Sequence, residues 1–129
     1  NQNTTPLTLH GVELSFSSLS LDVAVEAVKH MVVGQSSSIK VVDRSPSGTA
    51  VVEEPLLSVL DLYTKARDAS VGAFALTHGT VAGNIIELTG PKVGTSSPTE
   101  QDRNGVQMLS VPLTINPDTG NDELVITVK

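Results

Sequence analysis

The chain of 129 residues carries eight Lys and Arg against fourteen Asp and Glu, a net charge of -6, and contains no cysteine. That length suits one domain with a single core, and the missing cysteine excludes disulfides, thiolate chemistry and any zinc site that needs cysteine. The acidic balance disfavours tight phosphate binding, which needs clustered Lys and Arg, and no apolar run approaches the ~20 residues of a membrane-spanning helix.

Asn1-Gln2-Asn3-Thr4-Thr5-Pro6 reads as a polar lead-in, either a linker from something upstream or a trimmed end. We therefore set residues 1–8 apart from a domain at 9–129. Val12, Leu14 and Phe16 alternate with Glu13, Ser15 and Ser17, which predicts a half-buried strand. From Leu19 the apolar phase is shifted, so a bulge or bend is expected near Ser17-Ser18. A long strand then runs toward Val33, and Gly34 to Ser38 forms a turn or loop tip. Strands at Ile39 to Asp43 and Thr49 to Glu53 flank Arg44-Ser45-Pro46-Ser47-Gly48, a hairpin-type connection.

One helix is expected, from Pro55 to about Asp68. Pro suits a first helical position, Glu53 and Glu54 precede it on the side the helix dipole favours, and Leu56, Val59, Leu60 and Tyr63 make one apolar stripe. Lys65 and Arg67 fall in the last turn. Further strands are expected at Ala73 to Thr77, Ile85 to Thr89, Val106 to Ile115 and Glu123 to Val128. Gly94 to Asn104 reads as a long polar loop, and Asn116 to Asn121 as the turn joining the last two strands. Phe16, Tyr63 and Phe74 are the only aromatics, so the core must come from Val, Leu, Ile and Ala, of which Val and Ile favour strands. The result is a mainly β fold: a sandwich or partly closed barrel of about seven strands with one flanking helix.

Chemistry is hard to find in this pattern. His10, His30 and His78 fall on different elements without metal-ligand spacing, and Asp118, Asp122 and Glu123 do not match a calcium loop. There is no G-x-S-x-G elbow, no G-x-G-x-x-G and no phosphate loop. No catalytic residue, metal site, cofactor or small-molecule ligand is expected, and an enzyme is disfavoured.

The order of features carries more. Ile39 to Arg44 and Gly48 to Glu53 precede a helix; His78-Gly79-Thr80-Val81-Ala82-Gly83-Asn84, Pro91-Lys92-Val93, Asp102 to Met108 and Gly120-Asn121-Asp122-Glu123-Leu124 follow it. Over about residues 9–129 this resembles the carboxyl-terminal domain of siphophage-type tail tube proteins. The resemblance implies a structural virion protein of the tail, assembled in the host bacterial cytoplasm. Its domains would join into sixfold or pseudo-sixfold rings that stack into a hollow tube. Its partners would be further copies and other tail proteins, with double-stranded DNA passing unbound and no membrane involved. An acidic lumen would keep DNA from sticking, for which Glu13, Glu26 and Glu87 are candidates. Loops that order on contact would join subunits or rings, with Gln35, Ser37, Arg44, Pro46, Pro98, Glu100, Asp102 and Arg103 as candidates. Two other readings stay open: another ring-forming part such as a tail terminator or a secretion-tube protein, and a stand-alone β-sandwich binding module. The lack of Trp counts against a sugar-binding version of the latter.

Overall fold

Short alternating apolar segments give strands through most of the chain. The computed structural model describes residues 3–129; Asn1 and Gln2, the start of the expected lead-in, lie outside the described residues. The strands are β1 (Leu7–Leu9), β2 (Val12–Leu14), β3 (Phe16–Asp22), β4 (Val25–His30), β5 (Ser38–Arg44), β6 (Ser47–Glu53), β7 (Val71–His78), β8 (Ile86–Thr95), β9 (Thr99–Arg103), β10 (Val106–Asn116) and β11 (Val125–Val128), with one helix, α1 (Leu62–Arg67). The fold is mainly β, as expected, with eleven strands among the described residues against the roughly seven anticipated. Leu7 and Thr8, read with the lead-in, begin β1, and Leu7 is fully buried.

Nine strands form one sheet in the order β2-β1-β7-β8-β10-β6-β3, with β11 added to β8 and β9 added to β10. The sheet does not close into a barrel. It folds into two layers because its two longest strands change partners along their length. The first half of β8 pairs with β11 and its second half with β10; the first half of β10 pairs with β9 and its end with β8. Pro112 lies between those two stretches of β10, where its carbonyl accepts from the Ser96 N–H at 3.0 Å. A residue without an N–H fits at such a change of partner and would break an uninterrupted ladder. The inward residues, among them Leu7, Leu9, Val52, Phe74, Val93, Leu109 and Val111, form one core. The expected bulge is present: the β3–β6 register shifts between Phe16 and Ser18, turning Leu19 and Leu21 toward the core.

Three sequence expectations need correction. The helix is short. Leu60 N–H reaches Leu56 O at 3.0 Å in one isolated turn, and the chain then restarts at Asp61, whose carboxylate accepts from the Thr64 N–H and hydroxyl at 3.0 and 2.6 Å. A capping side chain there competes with helix continuation. Of the predicted stripe only Leu60 is buried, while Leu56 is 74% exposed. The second correction concerns Gly94 to Asn104, which is no loop: β9 pairs with β10 across a two-residue Asn104-Gly105 turn with φ of 57 and 82°, the geometry that selects Asn-Gly in hairpins. Third, β5 and β6 do not form a hairpin with each other; β5 pairs with β4, and β6 with β3 and β10.

His10, in the turn between β1 and β2, packs tightly against Gly72 of β7. Its backbone φ is 52°, and its ring fills the space where a side chain on Gly72 would begin, since a Cβ there would sit 2.6 Å from Nδ1. Burial, then the nearby Lys65 ammonium, lower the His10 pKa, against an opposing hydrogen bond with the Val93 backbone. Below about pH 6.5 the unfolded chain therefore takes up a proton that the folded chain resists. The stabilising effect of neutral His10 is complete above that pH and is lost as pH falls toward the lowered folded value. We expect the melting temperature to drop between pH 7.5 and 5 in the natural chain, and a smaller drop in His10→Asn, whose side chain tolerates positive φ and does not titrate. Equal drops in both would show that other groups set the dependence.

A projecting arm as the candidate interaction site

The expected hairpin at 44–48 is one bend in a longer one. β3 and β4 run out, and β5 and β6 run back, so residues 16–53 form a single long hairpin bent at Val23-Ala24 and Ser45-Pro46. The inner half, β3 with β6, belongs to the main sheet; the outer half, β4 with β5, is a separate two-stranded sheet. The bend is built by Ala24 at φ 45°, by an Asp22 carboxylate that accepts from the Ala24 N–H at 2.9 Å, and by buried Pro46, whose carbonyl accepts from the Ile115 N–H at 3.1 Å.

Every residue of β4 and β5 is exposed. At ~3.3 Å per residue the arm extends roughly 20 Å from the body. It is also apolar: Val25, Val28, Met31, Val32, Val33, Ile39, Val41 and Val42 all face solvent. A two-stranded hairpin is marginal in water alone, and exposed apolar side chains on both of its faces make it a candidate interaction site.

At the arm's base the Arg44 guanidinium bridges to the body. Its Nη2 lies 3.0 Å from Glu123 Oε1 and also donates to Asn121 Oδ1. The Glu123 side chain is 9% exposed, and its Oε2 is buried with no hydrogen-bond partner. Together with Val25, Val41, Pro46 and Ile115 these groups line a cleft of about 990 Å³ between the arm and the loop after β10. That loop is held from within. The Asp122 carboxylate accepts from the N–H groups of Asp118, Thr119 and Gly120 and from the Thr119 hydroxyl, and the Thr119 bonds above all lower its pKa to about 2. Those donors use up the oxygens that a cation would need, and no cluster of His, Asp and Glu among the described residues is placed to hold a metal.

The interface candidates separate into two groups. Gln35 and Ser37 lie at the arm tip, and Arg44 and Pro46 at its base. Pro98 precedes β9, while Glu100, Asp102 and Arg103 belong to it, all three exposed. Glu100 Oε1 accepts from the Tyr63 hydroxyl at 3.1 Å, and Asp102 accepts from the Gly105 N–H at 3.2 Å. The arm leaves the sheet where Ser47 pairs with Thr114, whereas the β9 turn lies beyond Met108, which pairs with Glu53. The two groups thus occupy opposite ends of the β6–β10 ladder. Among the acidic candidates, Glu13 and Glu87 share the outer face of one layer with Thr8, Thr77 and Thr127, by the registers of β2-β1-β7-β8-β11. Glu87 is paired there with Lys129, and Glu26 lies apart, on the arm. Glu123 enters the sequence reading as a carboxylate that fails to complete a calcium loop; its pairing with Arg44 has no local signal.

No helix among the described residues is long and apolar enough to cross a membrane. No protein family and no curated protein matches the sequence. Solved structures do match in shape. The anti-feeding prophage cap, a tube-terminating cap, aligns with a TM-score of 0.66 at 13% identity, covering 98% of this chain and 89% of that one. The sheath/tube terminator of the extracellular contractile injection system PVC, in its extended state, aligns with a TM-score of 0.70 at 9% identity, covering 98% and 94%. The chain therefore shares, over nearly its whole length, a fold found in terminators of phage-tail-like particles, where the sequence reading had put siphophage tube proteins first.

Proposed function

We propose that this chain is a terminator of a phage-tail-like tube: a structural subunit that joins copies of itself into a ring and caps the tube's end. The observation that carries this reading is the exposed apolar arm on a body whose shape matches two tube terminators nearly end to end. The two candidate surfaces at opposite ends of the β6–β10 ladder suit heterologous contacts, which close into rings or stack. A net charge of -6 suits a part that lets DNA pass without holding it. On this reading the work of the protein is assembly, with no catalytic step, and its partners are its own copies and other tail proteins.

A second reading, a tube subunit, draws on the same arm and the same charge. Negative-stain electron microscopy with mass measurement of concentrated protein separates the two. Discrete rings that do not stack are expected for a terminator, whereas open-ended hollow tubes would replace that reading with the tube subunit. Monomers at every concentration and salt tried would sink both and leave a stand-alone binding module.

A further inference from the structure

The arm and the cleft at its base are complementary surfaces, although one molecule cannot use both on itself. Residues 27–42 contain Lys29, His30 and Lys40 but no Asp or Glu. All fourteen acidic residues, with the other six of the eight Lys and Arg, lie elsewhere. Neither Lys29 nor Lys40 makes an ion pair among the described residues, whereas Arg44, Arg67, Lys92 and Lys129 each do. The cleft offers the opposite character: apolar walls from Val25, Pro46 and Ile115, and in one wall the buried Oε2 of Glu123 with no donor. A buried carboxylate oxygen left unpaired is costly. Glu123 lines the cleft, and the soft terminal torsion of a Glu side chain lets its carboxylate adjust to a donor that enters.

We propose that this cleft receives the outer arm of a second copy of the chain, with Lys29 or Lys40 of that copy donating to Glu123 and its apolar side chains covering the cleft walls. The proposal rests on the self-assembling reading above and names the surface that the arm meets. The contact is heterologous, so each copy offers one arm and one cleft, and the chain of contacts continues until it closes. Glu123 then has two cationic partners, Arg44 of its own chain fixing the base of the arm and a lysine of the next.

The absence of cysteine makes a clean test possible. Ser38→Cys places a thiol on the exposed arm and Asn116→Cys places one in the cleft lining. Under mild oxidation the double variant is expected to give a covalent ladder of oligomers, with each single variant giving dimers at most. Adding Lys29→Glu and Lys40→Glu, both at exposed positions, should lower the yield tenfold or more. Oligomers that form by mass but do not cross-link would overturn the arm-in-cleft contact while self-assembly stands. Cross-linking indifferent to the two charge reversals would remove the lysine–Glu123 pairing. Absence of any association, in the natural chain as well, would overturn the contact together with the terminator reading.

Discussion

Replacing residues 27–42 by an Asn-Gly turn between Glu26 and Asp43 is expected to leave the body folded and to abolish its association. Glu26 and Asp43 are already paired across the arm, so a two-residue turn closes the strands there. None of the residues removed belongs to the core, and the segment contributes exposed apolar surface in place of buried area. Burial near 25 cal/mol per Å² stabilises a fold only where water is removed; on the isolated arm that gain awaits a partner. Circular-dichroism melting should change by no more than a few degrees, while mass measurement should show monomers under conditions where the natural chain assembles. A collapse of the melting transition would place the arm inside the cooperative unit. Rings that persist without it would show that other surfaces, such as β9 or the exposed edge of β11, hold the copies together.

The second large effect is expected at the arm's base. Arg44→Met should cost about 2–3 kcal/mol. A pair broken in full burial costs roughly 3–5 kcal/mol because the surviving charge is stranded. Here the Glu123 side chain is 9% exposed but the Arg44 side chain is 36% exposed, so water recovers part of the loss. Glu123→Gln in the same chain should restore most of the stability, since the stranded charge is then gone. Denaturant melts of the two single variants and the double variant form the cycle that reads the coupling. A double variant no more stable than Arg44→Met would mean that the arginine acts by packing its stem and not by pairing.

How much of this was legible beforehand follows from what each segment faces. Val12 to Leu21 could be read, bulge included, because one face meets the core and the other meets water, and alternation records that contrast. β9 could not be read by alternation: Thr99 to Arg103 is exposed on both faces, so no period survives. The hairpin signal beside it, Asn104-Gly105, was present and outweighed by the polarity of the stretch. The arm failed in the opposite sense. Apolar residues on both faces of Val25 to Val33 and Ile39 to Val42 are what a strand buried on both sides looks like, and a single chain does not say whether the covering surface is its own. The helix was over-extended because Pro55 and the stripe from Leu56 both favoured an early start, while the capping carboxylate of Asp61 started the helix later. The Arg44–Glu123 pair joins residues far apart in the chain, through a fold that no short window contains.

The nested pairing of residues 16–53 bears on how the chain reaches this state. Several of its other pairings join distant segments, as Leu9 with Phe74 or Val52 with Leu109, and such pairings form slowly because loop entropy is spent before contacts return it. The arm runs against that trend. Closing at its tip near Gly34, it can zip inward residue by residue and deliver β3 to β6 in register, so that joining Phe16 to Val52 no longer requires a search by a free loop. The segment that contributes least to the finished monomer would in that case act as a template for its sheet, and on a ribosome it would be complete before β7 to β11 exist.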